Sequence, residues 1–167
     1  MNLKRMLRHL VTTIGSVNTA FPPRTLDAIE RAIAQTEARH NGQIRFAVEH
    51  ALDLPQLHAA MSARERAIEM FGLLRVWDTE HNNGVLIYLL LAEHAIEVVA
   101  DRGLARQVPQ EHWRQIVQRM GGAFRAGRYE EGLTQAIDEV TAVLVQHFPL
   151  AEGKPNPNEL PDQPVLG

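Results

Sequence analysis

The sequence predicts one α/β domain in which a small mixed β-sheet carries helices on both faces. The chain has 167 residues, a length that suits one domain with its own core. Its segments follow the order helix, strand, helix, strand, strand, helix, helix. Residues 85–91 are apolar at every position except for the hydroxyl of Tyr88, and a strand of this kind must be covered on both faces.

The first half of the domain is predicted to hold two helices separated by a strand. Pro23 opens the first helix, and Gly42 supplies the left-handed residue that ends it. Residues 44–49 follow as a strand, which should pair in parallel with the strand at 85–91. Ser62 begins the second helix with a capping box. We expect the buried face of that helix to consist of Ala67, Ile68, Phe71 and Leu74.

The second half is predicted to form a hairpin followed by two helices. Residues 96–100 return beside 85–91 after a short turn, and Asp101 to Gly103 break the second hairpin strand. Pro109 starts a long helix with an apolar face at helical spacing. The last helix follows the turn around Gly127 and ends at Phe148.

The composition excludes several classes of function. There is no Cys, so thiolate zinc sites, disulfides and cysteine nucleophiles are absent. The only serines are Ser16 and Ser62, and neither lies in a nucleophile elbow or a phosphate-binding glycine loop. The net charge of −3 argues against nucleic acid as a partner, because phosphate binding requires a basic surface.

Residues 1–20 are predicted to form a basic amphipathic segment ahead of the domain. Lys4, Arg5 and Arg8 lie opposite an apolar stripe. The stripe consists of Leu3, Met6, Leu7, Leu10, Val11 and Ile14. Two interpretations remain open: it packs on the protein's own domain, or it docks on anionic lipid or on a membrane protein.

Neither a signal peptide nor a membrane-spanning helix is predicted. Polar residues interrupt the apolar stretch at 10–16, which makes it a poor core for export. We therefore expect a cytoplasmic protein. Peripheral attachment to the inner membrane, through residues 1–20, is compatible with this location. Residues 21–149 form the predicted domain. Residues 150–167 contain four of the nine prolines and are predicted to be a flexible tail.

The predicted topology gathers polar residues at one edge of the sheet. The candidate metal ligands there are Asp78, Glu80, Asn82, Asn83 and Asp101, with Glu37 and Asn41 on the same rim. Oxygen-rich loops without thiols suit Ca²⁺ or Mg²⁺. His81 and Arg102 are the candidate catalytic residues, and the other histidines are expected on solvated surfaces. The alternative is that Asn82–Asn83–Gly84 only makes a turn.

Five short motifs, in order, resemble the TPM domain family. They are Asn41–Gly42–Gln43–Ile44, Trp77, Asn82 to Ile87, Arg102–Gly103–Leu104 and Phe124 to Leu133. The resemblance implies an α/β/α sandwich, binding of a divalent metal, chiefly calcium, and an acid phosphatase activity proposed for plant members. The chain departs from the family at Ala105, where members often have Glu.

Two functions are therefore compatible with the sequence. The first is an accessory or interaction module that binds a divalent metal and serves a membrane-associated complex. The alternative is a metal-dependent phosphatase-like hydrolase, in which carboxylates hold the cation and His81 or Arg102 assists. The sequence favours the module, because it contains a rim suited to ligands but no complete catalytic constellation.

Overall fold

The computed structural model describes residues 3–167, in which eight α-helices and four strands are found. The helices are α1 (Leu3–Val11), α2 (Ile14–Ala20), α3 (Pro23–Glu37), α4 (Leu54–His58), α5 (Ala63–Leu73), α6 (Arg102–Ala105), α7 (Gln110–Arg125) and α8 (Tyr129–His147). The strands are β1 (Gln43–Glu49), β2 (Gly84–Leu90), β3 (Ala95–Ala100) and β4 (Val165–Leu166).

The four strands form one open mixed sheet in the order β3-β2-β1-β4. Strand β1 runs parallel to β2, with Gln43 opposite Gly84, and β3 runs antiparallel to β2 as the second strand of a hairpin. The predicted parallel pair and the predicted hairpin are both confirmed. The sheet carries helices, which confirms the α/β fold class.

Strand β2 is buried along its whole length because it lies between two other strands and between two cores. Successive side chains of a strand point to opposite faces. Val85, Ile87 and Leu89 therefore enter one core, and Leu86 and Leu90 enter the other, together with Tyr88. This is why the segment is apolar at nearly every position.

The larger core lies between the sheet and helices α2, α3, α7 and α8. Phe21 is completely buried at its centre, with its ring 5.5 Å from the rings of Phe46 and Tyr129. Helices α7 and α8 approach closely at Gly132, where a Cβ would lie 2.7 Å from the Cβ of Ala123. Val17 of α2 also belongs to this core, which therefore begins before the predicted domain boundary at residue 21.

The smaller core lies under α4 and α5 on the opposite face of the sheet. Helix α5 buries Ala63, Ala67 and Met70, which lie on one face at the spacing i, i+4, i+7. The prediction that Ile68 faces inward is wrong, since this residue is 52% exposed. One position along a helix corresponds to a rotation of about 100°, so Ile68 points away from the core.

The proline-rich segment 150–167 lies against the sheet, where a flexible tail was predicted. Leu160 is 6% exposed within the smaller core, and its N–H donates to Oε1 of Gln43 at 3.0 Å. Strand β4 pairs in parallel with β1, and the N–H of Gly167 donates to the carbonyl of Val48 at 2.9 Å. The segment thus covers an edge that would otherwise expose unpaired backbone groups.

This packing predicts that Leu160→Ala lowers the free energy of unfolding by about 2–3 kcal/mol, because it leaves a cavity in the smaller core. The matched control is Leu166→Ala, since Leu166 is 41% exposed in the same segment. The control should change the free energy by less than about 0.5 kcal/mol. Urea unfolding followed by circular dichroism measures both. Equally small losses in the two variants would show that the segment does not contribute to the core.

Candidate functional site

The loops at the start of β2, at the end of β3 and before β1 meet at one edge of the sheet. The N–H of Asp101 donates to the carbonyl of Gly84, and the N–H of Gly103 donates to the carbonyl of Asn82, both at 2.9 Å. At Gly103 a Cβ would lie 2.5 Å from that carbonyl oxygen, so only glycine allows this approach. We call this edge the rim. It gathers three loops as the sequence predicts.

Two side chains of the rim carry buried oxygen atoms that lack a hydrogen-bond partner among residues 3–167. Asn83 is completely buried and donates through Nδ2 to the carbonyl of Asn41 at 2.8 Å, while its Oδ1 is unpartnered. Asp101 caps α6 by accepting the N–H of Arg102 at Oδ1, at 2.7 Å, and its Oδ2 is unpartnered. Asn83 and Asp101 are therefore the candidate ligands that face inward.

The other candidate ligands of the rim point elsewhere. Asp78 forms a salt bridge with Arg75, and Glu80 is exposed to solvent. Asn82 Oδ1 accepts a hydrogen bond from Nε of Arg102 at 2.9 Å, so these two side chains are bonded to each other. Across the described chain, no three His, Asp or Glu side chains are close enough to hold a metal ion together. These orientations could not be predicted from the sequence. The side chains of a loop are oriented by tertiary contacts, and residue types and spacing do not specify those contacts.

The two catalytic candidates lie on neighbouring loops of the rim. Gly103 follows Arg102, and a Cβ at this position would lie only 2.7 Å from the backbone carbonyl oxygen of His81. The His81 side chain is about half exposed, and its Nε2 lies 4.0 Å from Oε2 of Glu80. Its imidazole is thus near a carboxylate on the surface, and Arg102 is engaged by Asn82. This arrangement offers no oriented nucleophile.

Glu37, which the sequence placed on the rim, instead faces the C-terminal segment. Burial raises the pKa of Glu37 to about 8, and the negative charge of Asp162 and a hydrogen bond with it add to this effect. Burial also raises the pKa of Asp162. The Arg45 guanidinium lies beside Asp162 and donates to the carbonyl of Pro161. The sequence missed this cluster because Asp162 belongs to the segment that was predicted to be flexible.

Two histidines that were expected on solvated surfaces are buried. His40 is completely buried, its Nδ1 accepts the N–H of Gly42 at 3.2 Å, and burial lowers its pKa to about 4. His9 is 4% exposed, its Nδ1 accepts the N–H of Leu52 at 3.0 Å, and its Nε2 lies 3.0 Å from Oε1 of Glu93. Because Nδ1 of His9 is an acceptor, the proton is on Nε2 and is donated to Glu93.

Helix α1 contacts the domain through its polar face. Nε of Arg5 donates to Oε1 of Glu93 at 2.6 Å, next to the bond from His9. Burial works to raise the pKa of Glu93, but the hydrogen bonds from Arg5 and His9 outweigh it and hold this pKa below its ordinary value. Arg5 also donates to the carbonyl of Met61. One carboxylate thus holds two side chains of α1.

As a consequence, the apolar face of α1 and of its extension into α2 points to solvent. We define this apolar face by five exposed residues, which are Leu3 (71% exposed), Leu7 (59%), Leu10 (59%), Val11 (67%) and Ile14 (49%). Only Met6 of the predicted stripe contacts the smaller core. The interpretation in which the stripe packs on its own domain is therefore wrong for these five residues.

The described part of the chain contains no helix with both the length and the apolar character that crossing a bilayer requires.

These features define a class of protein: an α/β domain with an open mixed sheet, polar loops at one end of the sheet and an exposed apolar helix face. The chain belongs to the TPM family, since the model of the TPM domain matches residues 18–143. The match starts within α2 and covers all three loops of the rim.

Two solved structures are similar to this chain. One is the BA42 protein from the psychrophilic bacterium Bizionia argentinensis, at 25% identity and a TM-score of 0.74, over 86% of this chain and 93% of that one. The other is the N-terminal domain of a protein from P. gingivalis, at 19% identity and a TM-score of 0.59, over 78% of this chain and 82% of that one. The second similarity shows the fold alone. None of the curated proteins matches the sequence.

The raised pKa of Glu37 predicts a pH dependence of stability. Between pH of about 4.5 and about 8 the folded protein holds a proton that the unfolded chain has lost. The free energy of unfolding should therefore fall as the pH rises through this window, by up to about 1.4 kcal/mol per pH unit. Glu37→Gln should flatten this fall, as urea titrations across the window would measure. Identical pH profiles for the two proteins would contradict the assignment.

Proposed function

We propose that this TPM domain is an accessory module that docks on an anionic membrane surface through the apolar face of α1. A single observation carries the proposal: α1 binds its own domain with its polar face, and four large apolar side chains of α1, with Ile14 at the start of α2, remain in solvent. Lys4 and Arg8 are exposed on the same helix. Apolar residues flanked by cations are typical of helices that lie in the interface of an anionic bilayer.

The free energy expected from apolar burial and from electrostatic attraction to anionic lipid is sufficient for reversible attachment. Burying one Leu or Val side chain completely contributes about 1.5–3 kcal/mol, so partial burial of the five residues contributes roughly 5 kcal/mol. A Lys or Arg near an anionic surface adds about 1 kcal/mol. Neither contribution alone gives stable binding, but together they supply the two signals that peripheral attachment needs.

The domain presents this helix in a fixed orientation. Helix α1 has nine residues and would be marginal as an isolated helix. Its bonds to Glu93 hold it folded before it meets a membrane, so binding does not require the helix to form first. The negative surface potential of the cytoplasmic leaflet favours a location at the cytoplasmic side of the inner membrane.

The docking is tested by sedimentation with vesicles of phosphatidylglycerol at low salt. We expect the wild type to sediment with these vesicles, and Leu7→Glu with Leu10→Glu to lose about tenfold or more in affinity, because each change puts a carboxylate into the interface. The matched control is Ile68→Glu with Leu73→Glu, which adds the same charge at two residues of α5 that are 52% and 64% exposed. This control should bind like the wild type.

Two outcomes would contradict the docking. One is that the wild type stays in solution with phosphatidylglycerol vesicles at low salt. The other is that the α5 control, Ile68→Glu with Leu73→Glu, loses as much affinity as the α1 double variant, because the loss would then follow net charge and not the apolar face of α1. Raised salt should weaken the binding, since screening removes the contribution of the cations.

A second candidate function is the binding of a divalent cation at the rim. It is supported by the unpartnered oxygen atoms Oδ1 of Asn83 and Oδ2 of Asp101, on loops that hydrogen bonds hold together. Two side-chain oxygens fit a Ca²⁺ or Mg²⁺ ion that takes its remaining ligands from backbone carbonyls and water. The ion would supply a positive charge where two buried oxygens lack a donor.

A phosphatase-like hydrolase would use the same rim, with Arg102 binding the phosphate. We propose cation binding without hydrolysis, because Arg102 is occupied by Asn82 and His81 is half exposed without an orienting partner other than the surface Glu80. With a calcium-loaded sample, hydrolysis of an aryl phosphate should be no faster than with His81→Ala.

The cation site predicts localised shifts in an NMR titration with CaCl₂ and with MgCl₂. Amide shifts should concentrate on residues 82–84 and 101–103, and Asp101→Asn should weaken binding by about tenfold or more. This variant keeps a side-chain oxygen that can cap α6. Asp78→Asn is the matched control and should bind like the wild type, since Asp78 is paired with Arg75. Shifts scattered over the surface, or an equal effect of both variants, would remove the site.

A further inference from the structure

A cleft of about 720 Å³ lies at the carboxyl end of β2, at the opposite end of that strand from the rim. Residues of α1, α2, the β2–β3 turn and α7 line it. Leu91, Ile96 and Phe124 are among its apolar lining residues. In open α/β sheets the carboxyl ends of the strands are where ligands bind, and this volume is within the range of small-molecule sites.

The permanently charged side chains of the cleft, Arg8 and Arg125, are both cationic. Arg8, His94 and Arg125 line it, and neither Asp nor Glu does. Within residues 3–167, none of the three forms an ion pair. The cleft thus combines apolar walls with two guanidinium groups that have no anionic partner in the described part of the chain. Guanidinium groups are suited to carboxylates because their N–H donors match both oxygens.

From these two properties we propose that the cleft binds an amphipathic carboxylate, that is, a carboxylate that carries a single linear alkyl chain. The chain lies along Leu91, Ile96 and Phe124, and the carboxylate meets Arg8 or Arg125. Binding requires only a dissolved molecule of this class and is independent of any bilayer.

Gly121 gives a direct way to fill the cleft. It lies on the cleft wall, and a Cβ there would be 3.5 Å from Nη1 of Arg125 and 3.7 Å from Cδ1 of Ile96, which are ordinary contacts. Gly122 is not part of the wall, and a Cβ there would meet only Nη2 of Arg125, at 4.0 Å. Leucine at either position favours the helix more than glycine does, so both variants should fold.

The test is isothermal titration with decanoate below the concentration at which it forms micelles. We expect saturable binding at one site in the wild type and in Gly122→Leu, and a loss of about tenfold or more in Gly121→Leu. Equal affinities of the two leucine variants would overturn the proposal. So would a loss of decanoate binding in the Leu7→Glu, Leu10→Glu variant alone, because decanoate would then bind the apolar face of α1.

A second arm tests the charge of the cleft without altering its shape. Arg125→Gln should weaken decanoate binding by about fivefold or more, while the affinity for decanol, which has the same chain and no charge, should change little. Arg114→Gln is the matched control on the same helix, since Arg114 pairs with Glu111 outside the cleft. Decanol binding as tightly as decanoate in the wild type would overturn the choice of an anion.

Discussion

The fold depends on strand β2, which must be covered on both faces. The larger core has four helices for this purpose, but the chain between β1 and β2 supplies only the short helices α4 and α5 for the smaller core. The remaining cover comes from the two ends of the chain: Met6 on α1, Leu160 and Val165 all contact the smaller core. Both terminal segments are therefore part of the fold, because β2 has an apolar side chain on each face.

The way in which α1 joins this core explains the proposed function. Glu93 lies in the turn between β2 and β3 and accepts hydrogen bonds from Arg5 and His9, so the polar face of α1 turns inward. The apolar face of α1 then has no partner in the described chain, and Arg8 reaches the edge of the cleft. The candidate surfaces thus lie at the two ends of β2. The polar loops of the rim are at its start, and the cleft and the apolar face of α1, with their cationic side chains, are at its end.

Much of the sheet could be predicted from the sequence, because alternation and apolar runs depend on local pattern: the pairing of β1, β2 and β3 and the meeting of the rim loops are as expected. What the sequence could not provide are contacts between distant segments. The prolines at 155–164 indicated a tail, although Leu160 and the pairing of β4 hold that segment on the sheet. The stripe of α1 was recognised, but its outward direction depends on Glu93, which lies more than 80 residues away.

The apolar face of α1 points outward, and we propose that it enters a bilayer. The chain has no Cys, so a single spin label can be placed at Leu7→Cys or, as a control, at Leu73→Cys. Electron paramagnetic resonance with phosphatidylglycerol vesicles then compares quenching by oxygen, which concentrates in lipid, with quenching by a water-soluble nickel complex. We expect the label at position 7 to be open to oxygen and protected from nickel, with position 73 remaining in water. Equal exposure of both labels to nickel would contradict the claim.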